Sequence, residues 1–404
     1  MLNTDGGRLR VVFVTTGYPT EDHPNNSIFI HRSIKALSYY VVPQVIHLRT
    51  WLPGRPFIEK RKWEDIPVTS VYCPQFPYLL NLHNNTKLLS KLGRILVCDY
   101  LDSPDLIHST NLYPAGFVAD QWASSIGKPH TSHVIGSDIN ICLSHNLARI
   151  GKDWLYNLRG VACNSVVLMN RLIELVPDIK NVRVIYRGVD SLTFAPIGHI
   201  NGPQSSLPPI RFLYLGGFRT WNLRHKEYYD LKGGHILLNA WRRVEAGIYP
   251  SSLLIGGPGM DIARLQKWRA TLCRPEAVFF SKAVSPEDIP SLMRACDVLV
   301  IPSLNEGLPN VANEAQACGR PVLGTDAGGI PESVLHGVTG LIVPRGDVNA
   351  LASGLEWCFY HQEEMRVMGA NARRHVIHNT SWGKFTEEMM SLFDSAIKQV
   401  ARKM

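Results

Sequence analysis

Short apolar runs recur along the chain, each leading into a glycine- or proline-bearing turn and then a stretch with apolar residues at helical spacing. Residues 10–16 run into Gly17-Tyr18-Pro19, and an amphipathic helix follows over 29–37. Residues 43–48, 68–72 and 105–108 read as further strands, Pro114-Ala115-Gly116 opens a helix, and 160–165 is a strand-to-helix turn capped by Asn164 or Ser165. The pattern restarts at 211–215 and continues through 253–255, 278–280, 298–301, 321–324 and 341–343. Helices are predicted over 348–360 and 363–376, and the end from Ser381 is amphipathic. Strands alternating with helices predict an α/β chain with doubly wound sheets. Between the two series, residues 197–209 hold two Gly and three Pro and read as a linker. The predicted domains are therefore residues 1–200 and 205–382.

Length changes little in this picture: 404 residues exceed a single core. Composition, with 45% hydrophobic and 19% charged residues, is that of a soluble protein. No apolar run approaches the length of a membrane-spanning helix, and no signal-peptide pattern opens the chain. Eight cysteines without a C-x-x-C pair indicate neither a zinc site nor a disulfide framework, so a reducing cytoplasm is the expected compartment. The net charge of +8 favours anionic partners without choosing among nucleotides, phospholipid headgroups and nucleic acid. Trp51, Phe57, Lys60, Arg61, Lys62 and Trp63 suit either a headgroup-level membrane contact or a solvated loop whose tryptophans pack inward. Residues 76–100, with Lys87, Lys91 and Arg94 beside leucines, suit either an interfacial helix or an outer layer of the sheet.

The chemistry concentrates in residues 303–332. The run 298–301 reads as a buried strand ending at Pro302, and Pro309 suits the first turn of a helix over 310–318 that stops at Gly319. A loop entering a helix N-terminus presents free N–H groups to a phosphate, and Gly307 permits close approach. Glu306 on the loop and Glu314 about a turn inside the helix would repel phosphate, so each is expected to accept hydrogen bonds from hydroxyls. Asp326-Ala327-Gly328-Gly329 makes a second glycine turn.

With Ala-Cys-Gly-Arg-Pro-Val and Gly-Gly-Ile-Pro-Glu following it, the Glu306…Glu314 pair resembles the E-x7-E motif of the retaining glycosyltransferases of family 4, which have the GT-B fold. The resemblance implies two Rossmann-like domains facing each other across a cleft, with the last helix, about 383–404, crossing back to the first. It implies that Glu306 contacts a donor sugar and Glu314 the nucleotide ribose. Gly307, Leu308, Pro309, Asn310 and Val311 would lie against the sugar and distal phosphate. Lys232 matches the Lys-Gly that opens a helix and grips the diphosphate. Gly217 stands where relatives carry an Arg, so Arg219 is the expected displaced cation and Arg224 the runner-up. Near Lys282, relatives approach the nucleobase with backbone atoms.

On the acceptor side the resemblance places Asn26 and Ser27, in a loop that lacks the family's glycines but whose asparagines tolerate left-handed backbone. It also places Asp138, the end of a His-Gly-x-Asp tetrad that reads Ile135-Gly136-Ser137-Asp138 here. His133, two residues before Ile135 and on the same side of a strand, is the expected substitute for the missing histidine. Arg187 replaces the Asn of an Asn-Gly-Val-Asp passage.

The implied activity is sugar transfer, with retention, from a UDP- or GDP-sugar to a hydroxyl of a carbohydrate, glycolipid or other acceptor. No cofactor and no metal is expected. A nucleotide-sugar-binding subunit with weak turnover is the second reading, motivated by Ile135, Gly217 and the glycine-free loop. Nucleic-acid binding would rest on charge alone, and the E-x7-E context argues against a nucleotide-sugar epimerase.

Overall fold

The computed structural model describes residues 7–24, 26–74, 82–97, 104–144, 147–196, 209–218, 220–222, 227–248, 250–257, 261–281 and 284–401. The chain divides into two compact units, Met1–Arg187 with Trp382–Met404, and Gly188–Ser381.

The first unit begins with β1 (Leu9–Thr15), α1 (Ile28–Leu37), β2 (Val41–Thr50), β3 (Ile58–Trp63), β4 (Ile66–Cys73) and α2 (Leu82–Val97). It continues through β5 (Leu106–Ser109), α3 (Ala115–Ile126), β6 (His130–Val134), α4 (Leu147–Ile150), β7 (Gly160–Cys163), α5 (Val166–Leu175) and β8 (Val182–Val184). The strands form one sheet in the order β3-β4-β2-β1-β5-β6-β7-β8. Only β3 runs antiparallel to its neighbour. At its centre, β1 is buried on both faces, with Val11 and Phe13 in one core cluster and Val12 and Val14 in another. That two-sided burial is why the strand reads as an unbroken apolar run.

Two stretches that the sequence left open take on definite secondary structure. Residues 58–63 are an edge strand paired to β4, with Lys60 and Lys62 on the solvent side, charges that discourage further pairing. Trp51 and Phe57 stack before it at 5.7 Å. α2 is an outer layer of the sheet: Leu89 and Val97 are buried, and Trp122 Nε1 of α3 donates to Ser90 O at 2.9 Å.

The second unit opens with β9 (Ile210–Leu215), a hairpin of β10 (Thr220–Asn222) and β11 (Glu227–Tyr229), α6 (Gly234–Val244), β12 (Ser251–Gly256), α7 (Ile262–Arg269) and β13 (Val278–Ser281). It closes with α8 (Ile289–Ala295), β14 (Val298–Ile301), α9 (Asn310–Ala317), β15 (Val322–Thr325), α10 (Ile330–Ser333), β16 (Gly340–Val343), α11 (Val348–Tyr360) and α12 (Gln362–Asn379). The sheet is wholly parallel, in the order β13-β12-β9-β14-β15-β16. With the hairpin set aside this is the Rossmann order, and it reverses direction between β9 and β14, the crevice where such sheets bind ligands. The final helix, α13 (Trp382–Ala401), belongs to the first unit, where Phe385, Met389, Leu392 and Phe393 share a core with Phe13 and Ala162.

Candidate active site

Two loops flank the crevice of the second unit: Gly216-Gly217-Phe218 after β9, and the segment from Pro302 to Pro309 after β14. The turn before α6 lies against the second of them. Gly233 has φ 70°, and a Cβ there would run into the Pro302 carbonyl oxygen, so only glycine fits. Leu304 N donates to Leu231 O at 2.9 Å. This close seating brings Lys232 to Glu306, with Nζ 2.6 Å and 2.8 Å from the two carboxylate oxygens. The Glu306 side chain is 14% exposed and that of Lys232 45%.

The support beneath is polar and local. Thr325 Oγ1 donates to Ser303 O at 2.6 Å. Gly328, at φ 54°, lies against the Glu306 backbone, where a side chain would meet the Glu306 carbonyl oxygen. Tyr214 is buried, and its hydroxyl donates to Gly217 O at 2.9 Å. Burial pushes that phenol far above its usual range.

α9 begins at Asn310, as expected, with Pro309 at the N-cap position, and no side chain caps it. At α6 the matching amides are taken: Asp230 accepts from Gly234 N at 3.1 Å and from His235 N at 2.8 Å. Leu308 and Pro309 point inward, while Gly307, Asn310 and Val311 are half-buried, so backbone amides and not side chains line the loop. Glu314 is half-buried one turn further along α9. The structure thus gathers Glu306, Lys232, Gly307, Asn310, Val311, Glu314 and Gly217 on the loops and helix around one strand crossover. Arg219, its runner-up Arg224, and Lys282 lie outside the described residues, as does Asn25.

The first unit gives three of the expected residues definite surroundings. His133 is 4% exposed and sits under α13, with its ring stacked 6.4 Å from Phe385 and its Nε2 without a partner among the described residues. Burial, reinforced by Arg187, holds its pKa well below the ordinary value and keeps the ring neutral. Asp138 is also buried, and its carboxylate accepts from Leu112 N at 2.8 Å, Gly136 N at 2.8 Å and Ile135 N at 3.2 Å. It clamps the loop after β6 through those backbone bonds. In the loop before α1, the left-handed residue is Ser27, at φ 53°, while Asn26 is exposed. Gly17 makes room for the Ser27 hydroxyl. Among the described residues, no group of three or more His, Cys, Asp or Glu side chains could hold a metal ion, and the described cysteines are free.

Residues 226–375 match the sequence profile of the family described as Glycosyl transferases group 1. The D-inositol 3-phosphate glycosyltransferase of Corynebacterium urealyticum is 34% identical over 316 residues, 72% of this chain and 72% of that one. The chain belongs to the glycosyl transferases group 1 family. The Saccharomonospora viridis D-inositol 3-phosphate glycosyltransferase is 33% identical over 72% of this chain and 70% of that protein. Some relatives are covered only in part: the chain spans 58% of Bacillus subtilis YtcC and 52% of the Jonesia denitrificans D-inositol 3-phosphate glycosyltransferase. Among solved structures, Anabaena HepE in complex with UDP and glucose superposes with a TM-score of 0.71 at 20% identity, covering 96% of this chain and all (100%) of that one. Sucrose-phosphate synthase from Thermosynechococcus elongatus gives 0.70 at 18% identity, covering 98% and 100%. The fold is GT-B.

Proposed function

We propose that the protein is a retaining glycosyltransferase of family 4, moving a sugar from a UDP- or GDP-sugar to a hydroxyl acceptor in glycan, polysaccharide or glycolipid synthesis. The observation that carries this reading is the Lys232–Glu306 pair at the crossover of β9 and β14, beside the uncapped start of α9. Without ligand, the ammonium of Lys232 is satisfied by Glu306. A donor diphosphate brings competing oxygens to Lys232, and Glu306 is then free to accept hydrogen bonds from the sugar hydroxyls. Glu314, further along α9, is placed to take the ribose hydroxyls.

As the bond from the anomeric carbon to the diphosphate breaks, negative charge grows on the departing phosphate. Lys232 and the opening amides of α9 face that charge, with Arg219 the second cation, and such pre-aimed donors are usually the largest catalytic effect. The two carboxylates follow one another along a loop and its helix, unlike the facing pair of glycoside hydrolysis. The acceptor proton passes to the leaving phosphate oxygen, and the acceptor hydroxyl enters on the face that the diphosphate leaves. Structures of the same fold in complex with UDP and glucose, or bound with UDP-2-fluoro glucose, support a nucleotide-sugar donor. The reaction draws on no metal.

The same reading puts the protein in the cytoplasm, with Leu52 and Phe57, 60% and 51% exposed beside Lys60 and Lys62, meeting the membrane surface. Flotation with anionic vesicles checks that contact; a protein left wholly in the unbound fraction would dismiss it. The test of the chemistry is proton NMR of the product anomeric centre during turnover. Retention of the donor configuration is expected, and an inverted product would overturn the mechanism. Donor binding without product from any acceptor would favour the binding-subunit reading.

A further inference from the structure

The first unit holds a cavity that the chemistry above does not use. It lies against the carboxyl-terminal half of the sheet near the β1–β5 crossover, walled by Phe13, Ser33, His108, Thr110, His133 and Arg187, and covered by α1 and α13. The room for water centres is about 20 Å³, the space of one or two waters. Its polar wall is unusual for a core. Arg187 is 5% exposed, and among the described residues its one side-chain hydrogen bond runs from Nε to Ser33 Oγ at 3.2 Å, with the guanidinium 4.5 Å from the Phe29 ring centroid. No carboxylate of the described residues lies within ion-pair distance of it. Asp138 attracts it from further off, but the Asp138 oxygens are spent on backbone amides.

A guanidinium cannot escape burial by losing its proton, even though burial lowers its pKa to about 10. A buried cation without a bonded anion is costly, and so is a buried imidazole nitrogen without a partner. Both side chains line the same small space: Arg187, whose terminal nitrogens make no hydrogen bond to a described residue, and His133 with its orphaned Nε2. A carboxylate would relieve both. Its two oxygens match the planar donor fork of Arg187, and its charge would favour a proton on His133, giving a second charge-assisted hydrogen bond. The space admits such a group and excludes a whole sugar ring, so the rest of the molecule would lie outside.

We propose that Arg187 and His133 form a carboxylate-binding subsite in the first unit, selecting an acceptor that carries an acid group. Assigning the carboxylate to the acceptor rests on the function proposed above; the subsite itself does not.

The test is thermal unfolding of the wild type and Arg187→Asn, saturated with UDP to fill the second unit, titrated with sodium acetate or sodium glucuronate against sodium chloride at constant ionic strength. The wild type is expected to gain several degrees, saturably, with either carboxylate beyond chloride, and Arg187→Asn to need at least tenfold more. A response to glucuronate alone assigns the site to a sugar acid, and a response to acetate as well assigns it to the carboxylate group itself. No carboxylate-specific gain in the wild type, or an equal gain in the variant, overturns the proposal. Should the variant fail to fold, the His133 ring resonance of the wild type decides: it shifts and its pKa rises as acetate saturates, and an unmoved resonance overturns the subsite. If UDP does not bind, the donor reading fails separately, and the same titrations without UDP still judge this one.

Discussion

The backbone of Gly328 occupies the place that any side chain at that position would contest with the Glu306 carbonyl oxygen. The carboxylate proposed to hold the sugar is therefore positioned by a glycine twenty-two residues further along the chain. Gly328→Ala adds a Cβ at φ 54° as well as the collision, strain of about 1–3 kcal/mol. The expected result is a lower Tm and at least tenfold weaker UDP binding, read by calorimetry. Wild-type affinity in a folded Gly328→Ala protein would show that the Glu306 loop does not shape the donor site.

Removing the ammonium tests the charge argument. Lys232→Ala takes away the donor aimed at the leaving diphosphate, and losses of about 100- to 1000-fold in kcat accompany deletion of such a group. Stability should move little, because the Lys232 ammonium is half-exposed and water can take its place beside Glu306. Steady-state kinetics beside a melting curve separates the two effects, and a large fall in Tm with kcat preserved would make Lys232 a structural residue.

Tyr214 touches no proposed ligand, yet its hydroxyl ties down the turn at Gly217. Tyr214→Phe leaves that carbonyl without its donor, at about 1 kcal/mol. Donor KM should rise more than kcat falls, since the turn is displaced and no reacting group is lost. An unchanged KM would mean the turn is held by something else.

Acid should weaken the first unit before the second. Burial holds the pKa of His47 and of His108 at about 3, and that of His133 well below its ordinary value. In the unfolded chain each takes up a proton near pH 6.5. Below that pH the unfolded state binds more protons, so stability is complete above about 6.5 and declines as the pH falls toward 3. His47 and His108 each account for about 2 kcal/mol between pH 7 and pH 5, and His133 acts in the same direction. All the buried histidines of the described residues lie in the first unit. Hydrogen exchange at the two pH values should show protection falling there and holding in β9, β14 and β15. Equal loss in both units would contradict the assignment.

The sequence showed the second unit clearly for a physical reason. Parallel strands buried on both faces, such as β14, appear as runs of Val, Leu and Ile, and their ligand-side ends are marked by Gly and Pro. Glu306, Lys232 and Glu314 could be picked out because they stand beside those marks. The edge strand β3 escaped notice because its charges resemble a loop, and the hairpin of β10 and β11 because each strand is only three residues long. The burial of His133 was hidden for a different reason. The helix that covers it, α13, lies some 250 residues away, and no local pattern reports so distant a neighbour. Tyr214 reads as an ordinary core aromatic, and only its hydroxyl's destination gives it a role.

The central claim is that Glu306 acts on the donor sugar once Lys232 turns to the diphosphate. The most direct measurement is release of nucleoside diphosphate from a panel of UDP- and GDP-sugars by the wild type and Glu306→Gln, with donor affinity measured alongside. The account predicts release by the wild type from at least one donor, and at least 100-fold slower release by a variant that still binds it. Equal rates in the two proteins, or no binding of any donor to the wild type, would contradict it.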